Sequence, residues 1–192
     1  MDKRERIIQA AVDIFYEKGF ENTKISDITK AAGIAQGTFY LYFPSKFALL
    51  PSIAEKVVIK LLDTVKGKMD FDSDFSKELE QLINIVFKFI NEYKIIYAFL
   101  YTGLSQSKYL KEWETIYSPF YEWMSNFIKE RKEKKIIRSK LSAEQLAKLM
   151  ITVIEATAEQ VYLYDTVNLK YIESQKQDLH KFLLDGLGVK SK

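Results

Sequence analysis

Apolar residues recur along this chain at intervals of three and four, the period of a helix with one buried face. Ile7, Ile8, Ala11, Val12 and Phe15 form the first such stripe, and Gly19 ends it. A shorter stripe carries Ile28, Ala31 and Ala32 between a candidate N-cap, Ser26, and a candidate terminating glycine, Gly33. Phe39 and Phe43 mark a third helix, which Pro44 closes and after which Ser45 is placed to cap the next. From residue 46 to 66 a longer helix carries Leu49, Leu50, Ile53, Val57, Leu61 and Val65. Pro51 falls inside it, and the missing N–H predicts a kink there.

Residues 66–74 are the clearest linker. Beyond them the pattern predicts helices over 75–93, 95–103 and 108–117, and a new one opening at Ser118-Pro119, since proline suits a first helical position. Ser142 and Gln145 form a capping box ahead of a long helix with Leu146, Leu149, Met150, Val153, Ile154, Ala158, Val161 and Tyr162. A last helix carries Ile172, Leu179, Phe182, Leu183 and Leu187. Alternating β-branched runs are absent, and only seven glycines and three prolines punctuate the chain. The expected fold is all-α with about nine helices: a three-helix unit over 1–46, a connecting helix over 47–66 and a larger helical body over 67–192.

Composition narrows the chemistry more than the fold. With 47% hydrophobic residues over 192 positions, a packed core is within reach. The lack of cysteine excludes a disulfide framework, a zinc finger and a thiol nucleophile together. One histidine, His180, lies in an amphipathic segment; no phosphate loop and no acidic pair at metal-ligand spacing accompanies it. An enzyme therefore has little support, and no cofactor or metal is expected. The N-terminus alternates charge with apolar residues at helical spacing, unlike a secretory signal, and the longest apolar run, 95–101, is too short for a bilayer. A soluble, cytoplasmic protein without a membrane partner is the expectation. The net charge of +3 is mild, so a nucleic-acid partner has to be argued from the placement of particular residues.

The stretch "QGTFYLYF" offers that placement. On a wheel of about 100° per residue, Phe39 and Phe43 fall together and point inward. Gly37, Thr38 and Leu41 take the opposite arc, and Tyr40 and Tyr42 lie on the two edges. Compact residues on the outer arc suit base edges in a major groove, and a hydroxyl on each flank suits the phosphate strands. The preceding "AAGIA", with Gly33 able to take left-handed geometry, makes a tight turn of the helix-turn-helix kind. Lys46, in the first turn of the following helix, can bind a phosphate, and Lys3, Arg4 and Arg6 form a basic cluster suited to backbone contacts. Two short helices around a glycine turn also occur in many α-proteins, so spacing alone gives duplex binding only a modest lead.

Further along, aromatic residues are dense. Tyr97, Tyr101, Trp113, Tyr117 and Tyr121 are candidates for a small-molecule pocket, because each couples an apolar ring to a polar tip, and Glu155 is the candidate polar anchor. Spacing separates no ligand-lining subset from ordinary core. The stripes holding Ile154, Ala158 and Val161, and Leu179, Phe182 and Leu183, fit either packing within one chain or a partner-facing surface.

Residue identities then carry a resemblance. Ala10-Ala11 through Phe15, Gly19-Phe20, Thr23, Asp27-Ile28, Ala32-Gly33-Ile34, Gly37-Thr38-Phe39-Tyr40, Tyr42-Phe43, Ser45-Lys46 and Leu49-Leu50 resemble the N-terminal domain of the TetR/AcrR transcriptional regulators. The match covers the first quarter of the chain in register. By matching position it implies that Thr23 and Ser26 meet phosphates, that Gln36, Gly37, Thr38, Tyr40, Leu41 and Tyr42 make up the DNA-facing helix, and that Lys46 holds the backbone. Ala35 stands where the family usually has serine and Phe47 where it usually has an acid, departures that bear on fine DNA preference. The resemblance also implies a homodimer joined through its last two long helices, with Ile154, Ala158, Val161, Leu179, Phe182 and Leu183 as candidates. It further implies a double-stranded operator as partner and repression relieved by a small apolar or aromatic effector.

Overall fold

The computed structural model describes residues 2–105, 108–164 and 168–189, the side chains of 101–105, 108 and 110 excepted. Eight α-helices and no strand occur among the described residues: α1 (Lys3–Lys18), α2 (Ile25–Ala32), α3 (Gln36–Tyr42), α4 (Leu50–Lys68), α5 (Phe75–Ser105), α6 (Trp113–Glu133), α7 (Ala143–Glu159) and α8 (Leu169–Leu187). The chain divides into two compact units, one of Met1–Val58 with Ile95–Tyr117, the other of Ile59–Lys94 with Ser118–Lys192. The dividing points fall inside α4, α5 and α6, whereas the sequence suggested a break at the 66–74 linker.

In the first unit, glycines end α1 and α2 where the backbone turns left-handed. Gly19 takes φ 78° and donates its N–H to the Phe15 carbonyl at 2.9 Å. Gly33 sits at φ 63°, ψ 42°, a conformation a side chain would resist. Ser26 was the expected N-cap of α2, but the helix starts one residue before it, and Asp27 does the capping by accepting the Lys24 N–H at 3.0 Å. That bond, with a second from Lys18, holds the Asp27 carboxyl below the usual carboxylate range. Ser45 caps as expected, accepting the Ala48 N–H, but what it opens is a 3-10 segment, Lys46–Leu49. The α-helical run therefore begins only at Leu50, and Pro51 becomes its second residue, where a missing N–H has no intrahelical partner to lose. The expected kink at Pro51 gives way to a change of helix type one turn earlier.

Phe15 is the centre of this unit's core. Its ring meets Phe20 at 5.0 Å and Phe99 at 5.1 Å between centroids, and Phe20 in turn meets Phe47 at 5.2 Å. Phe99 comes from α5, so a segment that the hydrophobic pattern assigns to the body supplies part of the core beneath the N-terminal helices.

In the second unit, α5 carries a non-helical residue, Tyr93 (φ −104°, ψ 16°), at the point where two separate helices were expected. Tyr93 stacks on Phe89 at 4.5 Å. Pro119 lies inside α6 instead of opening a helix, and the buried Tyr117 and Phe120 on either side of it keep the chain helical. The Ser142–Gln145 capping box is present in both directions, at 3.2 and 3.0 Å. A π-helical turn, Gln160–Tyr164, follows α7, and Asn168 caps α8. Buried within the apolar packing, Glu78 of α5 meets Arg131 of α6 through two bonds, Nη2 to Oε1 at 2.7 Å and Nε to Oε2 at 3.1 Å. Among the described residues no helix is long and apolar enough to cross a membrane.

Candidate nucleic-acid interface

The helix α3 is short and amphipathic by construction. Phe39 is fully buried and Phe43, just past its end, nearly so, which fixes the orientation of everything between them. Leu41, half a turn from that buried face, is 83% exposed, and Tyr40 and Tyr42 on the flanks are 50% and 39% exposed. Gln36 and Gly37 are exposed and Thr38 half-buried. Structure and wheel thus agree that Gly37 and Leu41 face out, while Thr38, which the wheel puts on the same arc, is less exposed than either flanking tyrosine.

Gly37 adds a second observation. Its φ is not left-handed, and a Cβ built on it would meet nothing within 4 Å. The fold of the chain itself has no need of glycine there, although glycine weakens a helix relative to alanine. The vacant side-chain position lies one turn before Leu41, on the outer arc of α3.

The residues expected to grip phosphates divide into two groups. Lys3 and Ser26 are exposed and available. Lys46 is not: its ammonium donates to the backbone carbonyls of Phe20, Glu21 and Thr23 and sits 4.5 Å above the Phe20 ring. Burial draws its pKa below the ordinary lysine value. Through these bonds Lys46 ties off the turn between α1 and α2. Thr23 is likewise buried and donates its hydroxyl to the Gly19 carbonyl at 2.7 Å. Arg4 is held to the Ser52 hydroxyl at 2.6 Å and lies over the Phe43 ring, bracing α1 against the start of α4. Lys24, at the N-cap of α2, and Lys30, in its last turn, are exposed cations that sequence reasoning passed over. Lys46→Met should lower stability by about 1.5–3 kcal/mol, the worth of hydrogen bonds to a charged group, while leaving the slope of log affinity against log salt unchanged. A thermal melt and a salt titration on duplex DNA check this. A slope flattened by about one ion would restore the phosphate contact.

The pocket candidates are split between the units. Tyr97 and Tyr117 are buried in the first, where Trp113 packs on Tyr117 at 4.9 Å. Tyr121 and the buried Glu155 belong to the second, and Lys148 lies 5.2 Å over the Tyr121 ring. The Tyr101 side chain lies outside the described residues. A groove of about 830 Å³ in the second unit is lined by other residues, among them Phe71, Phe75, Arg131, Lys134 and Arg138.

The dimer candidates need correction too. Ile154, Ala158, Val161, Leu179 and Leu183 are buried inside their own chain, because the apolar stripes of α7 and α8 pack within the unit. Of the six, Phe182 alone faces out, at 63% exposure. Leu149 on α7 and Leu169 and Tyr171 on α8 are the other large outward apolar residues of these helices.

Residues 7–53 match the family described as bacterial regulatory proteins, tetR family, and residues 79–187 match the tetracyclin repressor-like C-terminal domain. Over 187 residues the sequence is 38% identical to an uncharacterized HTH-type transcriptional regulator, YvdT, of Bacillus subtilis (strain 168), spanning 97% of this chain and 96% of that one. The fold is similar to that of Thermus thermophilus FadR, a TetR family transcriptional repressor, in complex with lauroyl-CoA (TM-score 0.76, 21% identity, 98% of this chain and 97% of that chain). It is also similar to that of Bacillus subtilis FadR in complex with stearoyl-CoA (TM-score 0.74, 20% identity, 95% and 98%).

Proposed function

This chain belongs to the tetR family of helix-turn-helix transcriptional regulators, and on that premise we propose that it acts as a homodimeric repressor. In this reading it holds a pseudo-palindromic operator and leaves it on binding a small apolar or aromatic effector. The observation that supports it best is the outer arc of α3, where an uncharged ridge ending in Leu41 stands clear of a helix pinned by Phe39. A core-packing helix has no use for such a ridge, and a major groove does.

One head reads too few base pairs, so two are needed, with their reading helices about 34–36 Å apart or a multiple of it. The outward apolar positions of α7 and α8, Leu149 and Phe182 foremost, are the surface we assign to the partner. The helices α4 and α5 run from one unit into the other, as α6 also does, and Phe99 of α5 sits in the core of the N-terminal unit. An effector that displaces either helix would alter the spacing of the heads, with a coupling of about 1–3 kcal/mol. The two FadR proteins of similar fold were determined with lauroyl-CoA and stearoyl-CoA, so long acyl thioesters are the first effectors to try.

The purified protein should elute as a dimer, and Phe182→Glu should shift it toward monomer. It should retard duplex fragments selected from a random pool, with log affinity falling linearly as log salt rises. An acyl-CoA that is the effector should weaken this binding roughly 5- to 150-fold. Failure to bind any duplex at low salt would overturn the proposal.

A further inference from the structure

The donors and acceptors of the major groove are read by a small vocabulary of side chains. Arginine and lysine pair with guanine, asparagine and glutamine with adenine, and apolar groups touch the C5 methyl of thymine. The helix α3, QGTFYLY, contains no cation. The next lysine along the chain, Lys46, lies beyond this helix and has its ammonium bonded to three backbone carbonyls. Lys30 is exposed, but on α2, the helix that in this motif crosses the sugar–phosphate backbone. The cations that pair bidentately with guanine are therefore missing from the reading helix, and the half-buried Thr38 is its one short hydroxyl. What stands furthest out on it is an aliphatic side chain, Leu41, with the glycine at 37 leaving the ridge low one turn earlier. Gln36, exposed at the N-terminal end, supplies the adenine-reading chemistry.

A lone exposed leucine is ordinary on a protein surface. This one is set apart by its position. It occupies the pole of a seven-residue helix whose opposite pole is locked by Phe39, and both neighbours in sequence carry hydroxyls on the flanks. From this we propose that the base pairs beneath α3 are A·T and that Leu41 reads a thymine in each half-site through its C5 methyl group. The inference rests on the duplex-binding function proposed above and adds the identity of the bases read.

Replacing thymine by uracil removes that methyl group and leaves base pairing intact, which isolates the contact. Duplexes selected by the dimeric wild-type protein would first be sequenced, then remade with uracil at each thymine in turn, and titrated with wild type and with Leu41→Ala. A melting curve on the variant verifies that it is folded, as an exposed side chain leads one to expect. At one thymine per half-site, uracil should lower wild-type affinity about fourfold, and about 15-fold when both half-sites are changed. Leu41→Ala should bind the thymine duplex more weakly and be indifferent to uracil at that position. Uracil without effect at every thymine, equal losses in wild type and Leu41→Ala, or a selected half-site with guanine at the read steps would each overturn the inference while leaving duplex binding standing. Recovery of no duplex at all would instead remove the proposed function on which it rests.

Discussion

Gly37→Ala should give a protein that melts higher and binds DNA worse. The two effects have separate causes. Glycine inside a helix costs up to about 1 kcal/mol relative to alanine, and a Cβ at residue 37 meets nothing within 4 Å, so the methyl group is free to be accepted. For a chain of this size that gain is about 2–4 °C in Tm. The loss arises only in the complex. If α3 lies in a groove with its outer arc against the bases, the added methyl group is pressed into the duplex. Overpacking of that kind costs about 1–3 kcal/mol, roughly 5- to 150-fold in affinity. A melting curve without DNA and a titration at fixed salt, on the same preparation, read both. An alanine variant that is stabilised yet binds operator as tightly as wild type would mean that no partner approaches this arc of the helix, and the assignment of α3 as the reading element would fall with it.

How much of this was legible beforehand depended on the distance between interacting residues. The outward arc of α3 was readable because Phe39 and Phe43 are four residues apart and a helix wheel needs nothing else. The capping pair Ser142–Gln145 was readable for the same reason, three residues apart. The internal bonds of Lys46 were hidden because its carbonyl partners lie 23 to 26 residues upstream, on a turn whose position relative to the helix is set by packing alone. The stripe of Ile154, Ala158 and Val161 was rightly seen as apolar, but periodicity states that a face is buried without saying against what. Phe99 belongs to the same class: its helix looked like part of the body, and only its contacts with Phe15 and Phe20 place it in the N-terminal core. Pro51 was misjudged by a local detail, the four-residue 3-10 segment that moves the start of α4 to Leu50.

The pair least visible in the sequence is Glu78 and Arg131, 53 residues apart, and breaking it should have the largest effect on stability. Both side chains are almost wholly enclosed, and the guanidinium is fully engaged. Beyond its two bonds to Glu78, its Nη1 donates to the Phe127 carbonyl at 3.3 Å and to Glu130 at 2.9 Å, and its plane lies 3.8 Å from the Phe127 ring centre. Arg131→Met removes the charge and leaves the Glu78 carboxylate buried without a counter-ion. A stranded buried charge costs about 3–5 kcal/mol, against a typical total of 5–15 kcal/mol for a folded protein. At about 2–4 °C per kcal/mol the melting temperature should fall by roughly 6–20 °C. The double variant Arg131→Met with Glu78→Leu should recover most of that loss, because it removes the desolvation of both ions along with their attraction. The comparison separates a stranded charge from a lost packing contact. If the single variant is destabilised and the double variant no better, the cost lies in the volume and stacking of the arginine on Phe127. If the single variant melts with the wild type, the pair contributes nothing and the second unit is held by its apolar core alone.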